Sequence, residues 1–220
     1  MPEIDFIERI HTATPRNYLL RVTEADKAAC ATKAKAFGRD YFDGERTCGY
    51  GGYRYDGRWR PVAERLIEHY GLKAGDRVLD VGCAKGFLVY DLQQALPGLE
   101  VEGVDVSQYA IEHAMPEVQT QLRVANAVSL PFEDGSFDLV LGINVLHNLR
   151  LYDLERALKE IQRVTRRGAY IVNDAYRNER EKVNLMYWQL TCECFFTPQE
   201  WEWLFDRCGY RGDYGFIYFE

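Results

Sequence analysis

The stretch Val78-Leu79-Asp80-Val81-Gly82-Cys83-Ala84-Lys85-Gly86 constrains the fold of this chain more than any other. A short apolar run closes on a carboxylate, glycines frame a turn, and Phe87-Leu88-Val89-Tyr90-Asp91-Leu92 then takes up a helical pattern. The order reads as buried strand, tight turn, helix start. Gly82 and Gly86 tolerate positive φ and close backbone approach, and the new helix offers N–H groups without partners. A second strand, Leu99 to Asp105, again ends on an acid. In an open α/β sheet a ligand sits at such strand ends, and an acid there accepts both hydroxyls of a ribose. The pattern therefore predicts a nucleoside-bearing cofactor.

Two such cofactors compete. A dinucleotide needs glycines spaced G-x-G-x-x-G so that its pyrophosphate can rest on the helix N-terminus. Here the spacing is G-x-x-x-G, and Asp80 stands two residues before the turn. A carboxylate at that point repels a pyrophosphate and suits the ammonium of a methionine moiety. Lys85 pulls the other way, since its charge favours an anion. The balance favours S-adenosylmethionine over NAD, and leaves a dinucleotide-dependent oxidoreductase as a distant alternative.

From about Val62 to the C-terminus the chain resembles the class I S-adenosylmethionine-dependent methyltransferases. Val78 to Gly86 is similar to the family's first motif, D/E-x-G-x-G-x-G, with Ala84 in place of the middle glycine. Gly103-Val104-Asp105-Val106-Ser107 resembles the ribose-binding strand end. Ala125-Asn126-Ala127 and Leu130-Pro131-Phe132-Glu133-Asp134-Gly135-Ser136-Phe137-Asp138-Leu139-Val140 resemble the third and fourth motifs, and Val145-Leu146-His147-Asn148-Leu149 the segment after the fourth strand. The resemblance implies an α/β fold with a seven-stranded, mostly parallel, doubly wound sheet and helices on both faces. It also implies roles. Asp80 would hold the methionine ammonium through water, with Gly82, Cys83, Ala84 and Gly86 forming the backbone turn. Asp105 and Val106 would meet the ribose, Asn126 and Ala127 the adenine, and the Asn144 carbonyl the methionine end. The family commonly has Asp at position 126; Asn keeps an acceptor oxygen for a weaker, uncharged bond.

The alternation of elements agrees. Helix 61–70 ends at Gly71, and strands are expected near 78–81, 101–104, 122–125, 139–143, 169–173 and 214–219, with helices at 87–95, 108–113 and 152–164 between them. Such alternation means a parallel sheet covered on both faces. Thr197, Pro198 and Glu200 announce a further helix. Two parts are expected within one compact unit: an N-terminal helical arm and lid over 1–61, and a cofactor-binding core over 62–220 carrying a substrate-side insertion at 173–197.

At 220 residues the chain suits one well-buried domain. A net charge of −7 without a Lys/Arg run disfavours a nucleic-acid partner. No apolar run approaches membrane-spanning length and the N-terminus lacks a signal core, so no membrane partner and a cytoplasmic location are expected. The six cysteines contain no C-x-x-C pair, no metal is expected, and Cys192-Glu193-Cys194 reads as two packed free thiols rather than a soft-metal site. Exposed aromatics near the N-terminus would permit a homodimer without requiring one.

Substrate identity should reside outside the cofactor motifs. The lid segment from Tyr41 to Trp59 interleaves glycine with tyrosine and arginine, a composition suited to closing over a ligand. Tyr50, Tyr53, Arg58 and Trp59 are its candidate substrate contacts, and Arg46, Arg54, Arg58 and Arg60 suit an anion or the cofactor's carboxylate. In the insertion, Tyr176, Arg177 and Trp188 are the candidates. Methyl transfer asks mainly for positioning and removal of a proton. His147 is the leading general base, a packing role being as common for such a histidine, with Asp174 and Tyr53 in reserve. The expected acceptor is a small, polar, anionic metabolite, best a sugar hydroxyl. An amino acid or amine nitrogen, aminocarboxypropyl transfer from the same cofactor, and a non-catalytic cofactor-binding module stand as alternatives.

Overall fold

The computed structural model describes residues 2–220. Among them six strands form one sheet: β1 Arg77–Val81, β2 Glu100–Asp105, β3 Leu122–Val124, β4 Phe137–Ile143, β5 Thr165–Asp174 and β6 Asp213–Ile217. Their order is β3-β2-β1-β4-β5-β6, and every neighbouring pair is parallel. The chain winds outward in opposite directions from β1 and β4, which makes the C-terminal ends of those strands the switch point where ligands bind.

Ten helices surround the sheet among the described residues: α1 Glu8–Thr12, α2 Tyr18–Thr23, α3 Lys27–Ala34, α4 Arg39–Phe42, α5 Arg60–Tyr70, α6 Phe87–Ala95, α7 Gln108–Glu112, α8 Leu151–Val164, α9 Glu179–Trp188 and α10 Pro198–Cys208. Alternation along the strands divides the core into two layers. Val78, Val101 and Leu139 meet Leu66 of α5 and Leu88 and Leu92 of α6, while Leu79, Val140 and Ile171 meet Leu158 and Ile161 of α8 and Trp201 and Phe205 of α10. With both faces covered, β4 can be buried at all its positions, which is why its sequence runs apolar without strict alternation. Local signals fix the ends. Thr197 and Glu200 close a capping box on α10, and Gly71 ends α5 in the left-handed region at φ 56°.

The expected seventh strand is absent from the described residues, and the sheet is wholly rather than mostly parallel. β6 hydrogen-bonds directly to β5, so no strand lies between them, and the free edge of β6 is met by the N-terminal arm: Glu3 bridges Tyr214, with Ile4 N–H donating to its carbonyl at 2.7 Å. The arm is anchored by Phe6, edge-on to Tyr170 with ring centroids 4.9 Å apart, and by the Tyr170 hydroxyl donating to the Ile4 carbonyl at 2.8 Å. It thereby covers an edge that would otherwise invite pairing and carries α1 and α2 toward the C-terminal ends of the strands. Among the described residues no helix is long and apolar enough to cross a membrane, and no cluster of His, Cys, Asp and Glu could hold a metal ion.

Candidate active site

The turn after β1 is built by three residues in the left-handed region, Gly82 (φ 81°), Ala84 (φ 50°) and Gly86 (φ 78°). The Gly82 and Cys83 N–H groups donate to the Val104 carbonyl of β2 at 2.7 and 3.0 Å, which ties the turn to the neighbouring strand. A Cβ on Gly82 would fall 2.0 Å from Val145 Cγ2, so only glycine lets the turn lie this close to the end of β4. A cavity of about 330 Å³ opens over the turn, lined by Asp80, Gly82, Cys83, Ala84, Asp105, Val106, Asn126, Ala127 and Asn144. Gly86 is the exception among the expected cofactor residues. It begins α6, and its open side meets Leu122 and Val118.

Electrostatics say what this cavity accepts. Asp80 is 4% exposed, and among the described residues nothing donates to its carboxylate or pairs with it. Burial, then the nearby Asp105 charge, push its pKa up to about 7. Asp138, at the other end of the sheet, is as little exposed but accepts from Arg166 and from the Arg77 N–H at 2.9 Å and lies beside Arg167, which together outweigh the cost of burial and hold it below the usual carboxylate range. What Asp80 lacks is therefore a cation. Asp105 is raised by burial against N–H bonds from Ser107 and Ala84, each 2.8 Å. These two acids, a glycine turn and an apolar wall fit the ammonium, ribose and base of S-adenosylmethionine. The Asn126 oxygen accepts the Val128 N–H at 3.1 Å, and the Asn144 carbonyl accepts from Asn148 at 3.2 Å.

Lys85, whose charge argued for an anion, turns away from the cofactor cavity. Its ammonium meets both Asp43 oxygens at 2.8 and 2.6 Å and donates to the Tyr53 carbonyl at 3.1 Å. The Tyr109 hydroxyl also donates to Asp43, at 2.8 Å. Burial raises the Asp43 carboxyl, but these bonds bring it below its usual range. Lys85 and Asp43 thus latch the Tyr41–Trp59 segment onto the cofactor turn. Gly49 lets that segment fold on itself, since a Cβ there would lie 2.0 Å from the Tyr41 carbonyl oxygen. A Cys30–Cys48 disulfide fastens the same segment to α3, a pairing the scattered cysteines did not announce; Cys192 and Cys194 are buried free thiols.

A second cavity, about 700 Å³, adjoins the first. Tyr41, Tyr50, Tyr53, Trp59, Asn144 and Asn148 line both and form the partition between them. Tyr53 stacks on Phe87 with centroids 4.7 Å apart and meets Tyr50 in a tilted contact at 4.6 Å. Burial pushes the Tyr53 hydroxyl far above its ordinary value, which leaves it a hydrogen-bond donor rather than a base. The floor is a histidine–aspartate pair. His147 Nδ1 accepts the Asp174 backbone N–H at 3.2 Å, so the neutral ring carries its proton on Nε2, 3.3 Å from Asp174 Oδ2. Nδ1 is thereby engaged, and Nε2 faces the carboxylate. Burial lowers His147 and raises Asp174, and Gln189 also donates to Asp174 Oδ2. Both side chains line the cavity.

Arg58 and Trp188 line the second cavity as expected contacts, Arg58 chelated by Asp56 at 2.8 and 2.9 Å. Tyr176 and Arg177 reach neither cavity. Arg177 pairs with Glu181 and Glu220 and lies over Tyr218, while Tyr176 packs against the core under Lys182. The chain turns away from the strand ends at residue 175, so these side chains face the rim's outer side. Arg60 pairs with Glu64 along α5. Sequence reasoning missed the arm's contribution, His11, Arg16 and Arg21, together with Lys35 and Gln189. Its short helices carry no apolar periodicity from which an inward face could be read.

Comparison with known proteins decides the family. Residues 79–173 match a family model described as a methyltransferase domain. The chain is 31% identical over 171 residues to the 2-phytyl-1,4-naphtoquinone methyltransferase of Trichormus variabilis, covering 73% of this chain and 71% of that protein. The chain belongs to the class I S-adenosylmethionine-dependent methyltransferases. It is also 30% identical over 141 residues to the O-methyltransferase cnsE of Penicillium expansum, covering 56% of this methyltransferase and half of that one. A solved SAM-dependent methyltransferase of Methanosarcina mazei superposes with a TM-score of 0.53 at 25% identity, covering 65% of this chain and 82% of the other. The cofactor of this methyltransferase is S-adenosylmethionine, and the acidic cavity at the switch point is where its residues suit it.

Proposed function

We propose that this methyltransferase alkylates an oxygen of a small, polar, anionic acceptor, with Asp174 as general base and His147 as its positioning partner. The observation that carries the reading is the buried His147–Asp174 pair on the floor of a roomy second cavity separated from the cofactor cavity only by aromatic rings and two asparagines. When bound, S-adenosylmethionine supplies an electrophilic methyl group and a thioether leaving group. The residues of the chain do the rest. Asp80 and Asp105 hold the cationic and ribosyl ends, and Tyr53 and Trp59 exclude water from the partition. Asp174 takes the proton that the acceptor hydroxyl loses, its basicity raised by burial. His147, its Nε2 3.3 Å from Asp174 Oδ2, packs beside the carboxylate and limits its orientation.

A base is needed for a hydroxyl and not for a free amine, which supports oxygen over nitrogen as the acceptor atom. One relative named above is an O-methyltransferase, which supports oxygen as the acceptor atom; the naphthoquinone in the other's name carries no hydroxyl and no charge and lends no such support, and the sugar expected from sequence has no counterpart among them. The test is to incubate the protein with S-adenosylmethionine and a panel of hydroxylated acids, sugars and amines and to separate the released nucleosides. S-adenosylhomocysteine formed with a hydroxylated acceptor supports the reading. Methylthioadenosine would instead mean aminocarboxypropyl transfer, and turnover with amines alone would overturn the choice of oxygen.

A further inference from the structure

The second cavity carries a charge opposite to that of the whole protein. Six arginines line it against two aspartates, in a chain of net charge −7. Both aspartates are already engaged: Asp56 by Arg58, and Asp174 by Gln189 and His147. Three of the arginines converge on one ring. The guanidinium carbons of Arg16, Arg21 and Arg46 lie 5.7, 5.3 and 5.5 Å from the centroid of Trp188. They come from three separate places in the chain, the arm before α2, α2 itself and the lid. Among the described residues none of the three is ion-paired with a carboxylate. Arg21 donates to the Trp188 and Arg46 carbonyls, and Arg46 to those of Gly49 and Tyr50. Arg16 Nε is buried and has no partner at all.

Three guanidinium groups gathered without an ion-paired carboxylate repel one another, and a planar fork with unused donors is the group that best grips a carboxylate or a phosphate. We infer that Arg16, Arg21 and Arg46 form an oxyanion subsite, which holds the acceptor's carboxylate or phosphate at the Trp188 end of the cavity while its hydroxyl reaches Asp174. This rests on the methyltransferase reading for what the subsite serves. The chemistry of the subsite itself stands on the arginines. It explains why the arm, α2 and the lid meet at Trp188, and it makes the acceptor an acid.

The test uses the full-length protein saturated with S-adenosylhomocysteine, titrated at constant ionic strength with inorganic phosphate and separately with benzoate, and followed by phosphorus NMR line broadening and by calorimetry. Saturable binding is expected, weakened at least tenfold in both Arg16→Gln and Arg46→Gln and unchanged in Arg180→Gln, an exposed arginine elsewhere. The tighter of the two anions tells phosphate from carboxylate. Thermal unfolding of each variant shows that it is folded, and Arg16→Gln, which breaks no backbone tie of the lid, keeps the test independent of Arg46. No saturable binding of either anion, or binding equal in all variants, overturns the subsite. So does an Arg16→Gln protein that binds phosphate normally but loses tenfold in S-adenosylhomocysteine affinity, since the arginines would then serve the cofactor's carboxylate. Failure of the parent to bind S-adenosylhomocysteine is read separately and counts against the proposed function, not against the subsite.

Discussion

The two adjoining cavities differ in sign. The smaller places Asp80 and Asp105 around a glycine turn, with Asp80 left without a cation; the larger turns six arginines toward a space whose two aspartates are already engaged. One accepts positive charge and the other negative, across a partition made chiefly of Tyr41, Tyr50, Tyr53 and Trp59. On the proposed reading, fixed charges placed this way would sort a cationic methyl donor from an anionic acceptor before either is oriented. A buried carboxylate without a partner is unfavourable for folding, so the acidic cavity trades stability for binding, whereas Asp138 at the far end of the same sheet is satisfied by Arg166 and Arg167 and makes no such trade.

The sharpest way to break this contrast is at the floor of the basic cavity. Asp174→Asn should lower turnover by roughly 10²- to 10⁴-fold, the usual range for losing a general base, with S-adenosylhomocysteine affinity within a factor of about two. Equal loss of both would mean that Asp174 serves the cofactor instead. Next in size is Asp80→Asn, which should weaken S-adenosylhomocysteine by about 1.5–3 kcal/mol through loss of a charged contact. With a pKa of about 7 in the free protein, the parent's affinity should rise as pH rises through that value, and the variant's should stay flat. Stability should move the opposite way. The folded carboxyl holds its proton up to about 7 against an ordinary 3.8, so this group's contribution is lost as pH rises between those values. Asp80→Asn should therefore unfold at higher temperature than the ligand-free parent at pH 8.

Two smaller changes sharpen the partition. Asp43→Asn leaves the buried Lys85 without its counter-charge, and should cost about 1–2 kcal/mol of stability, below the range for a fully buried pair because Asp43 itself is partly exposed, and several-fold in cofactor affinity. Unchanged cofactor binding would show that the latch is structural only. Ala84→Gly relieves a side chain at φ 50° in the left-handed region. It should raise the unfolding free energy by about 0.5–1 kcal/mol, the strain recovered less the entropy that glycine adds to the unfolded chain, measurable by urea titration.

That Asp80, the glycine turn and Asp105 meet at one cavity was legible in the sequence because their arrangement is local. Asp80, the turn and Asp105 lie within one strand–helix–strand unit, so their spacing alone brings them together. The Thr197 cap and α8 were readable for the same reason. The acceptor half is assembled from distant pieces: Arg16 from the arm, Arg46 from the lid, Asp174 from β5 and Trp188 from α9. Long-range ties such as the Lys85–Asp43 latch, the Cys30–Cys48 link, the Arg21–Trp188 bond and the Glu3–Tyr214 edge pairing hold these together. Lys85 showed how a local reading can mislead. Its charge pointed to an anion in the turn, whereas its partner lies 42 residues earlier. Tyr176 and Arg177 were placed by their position after β5, and the chain's turn at Ala175 carried them away from the cavity.

The measurement that bears most directly on the division of the site is a calorimetric titration of S-adenosylhomocysteine into the parent and into Asp105→Ala, each with and without saturating inorganic phosphate. The two-cavity account predicts micromolar binding by the parent, weakened by roughly 1–3 kcal/mol in the variant through loss of a charge-assisted ribose contact, and left within a factor of about three by phosphate. Displacement of S-adenosylhomocysteine by phosphate, or no binding by a parent protein that still unfolds cooperatively, would contradict it.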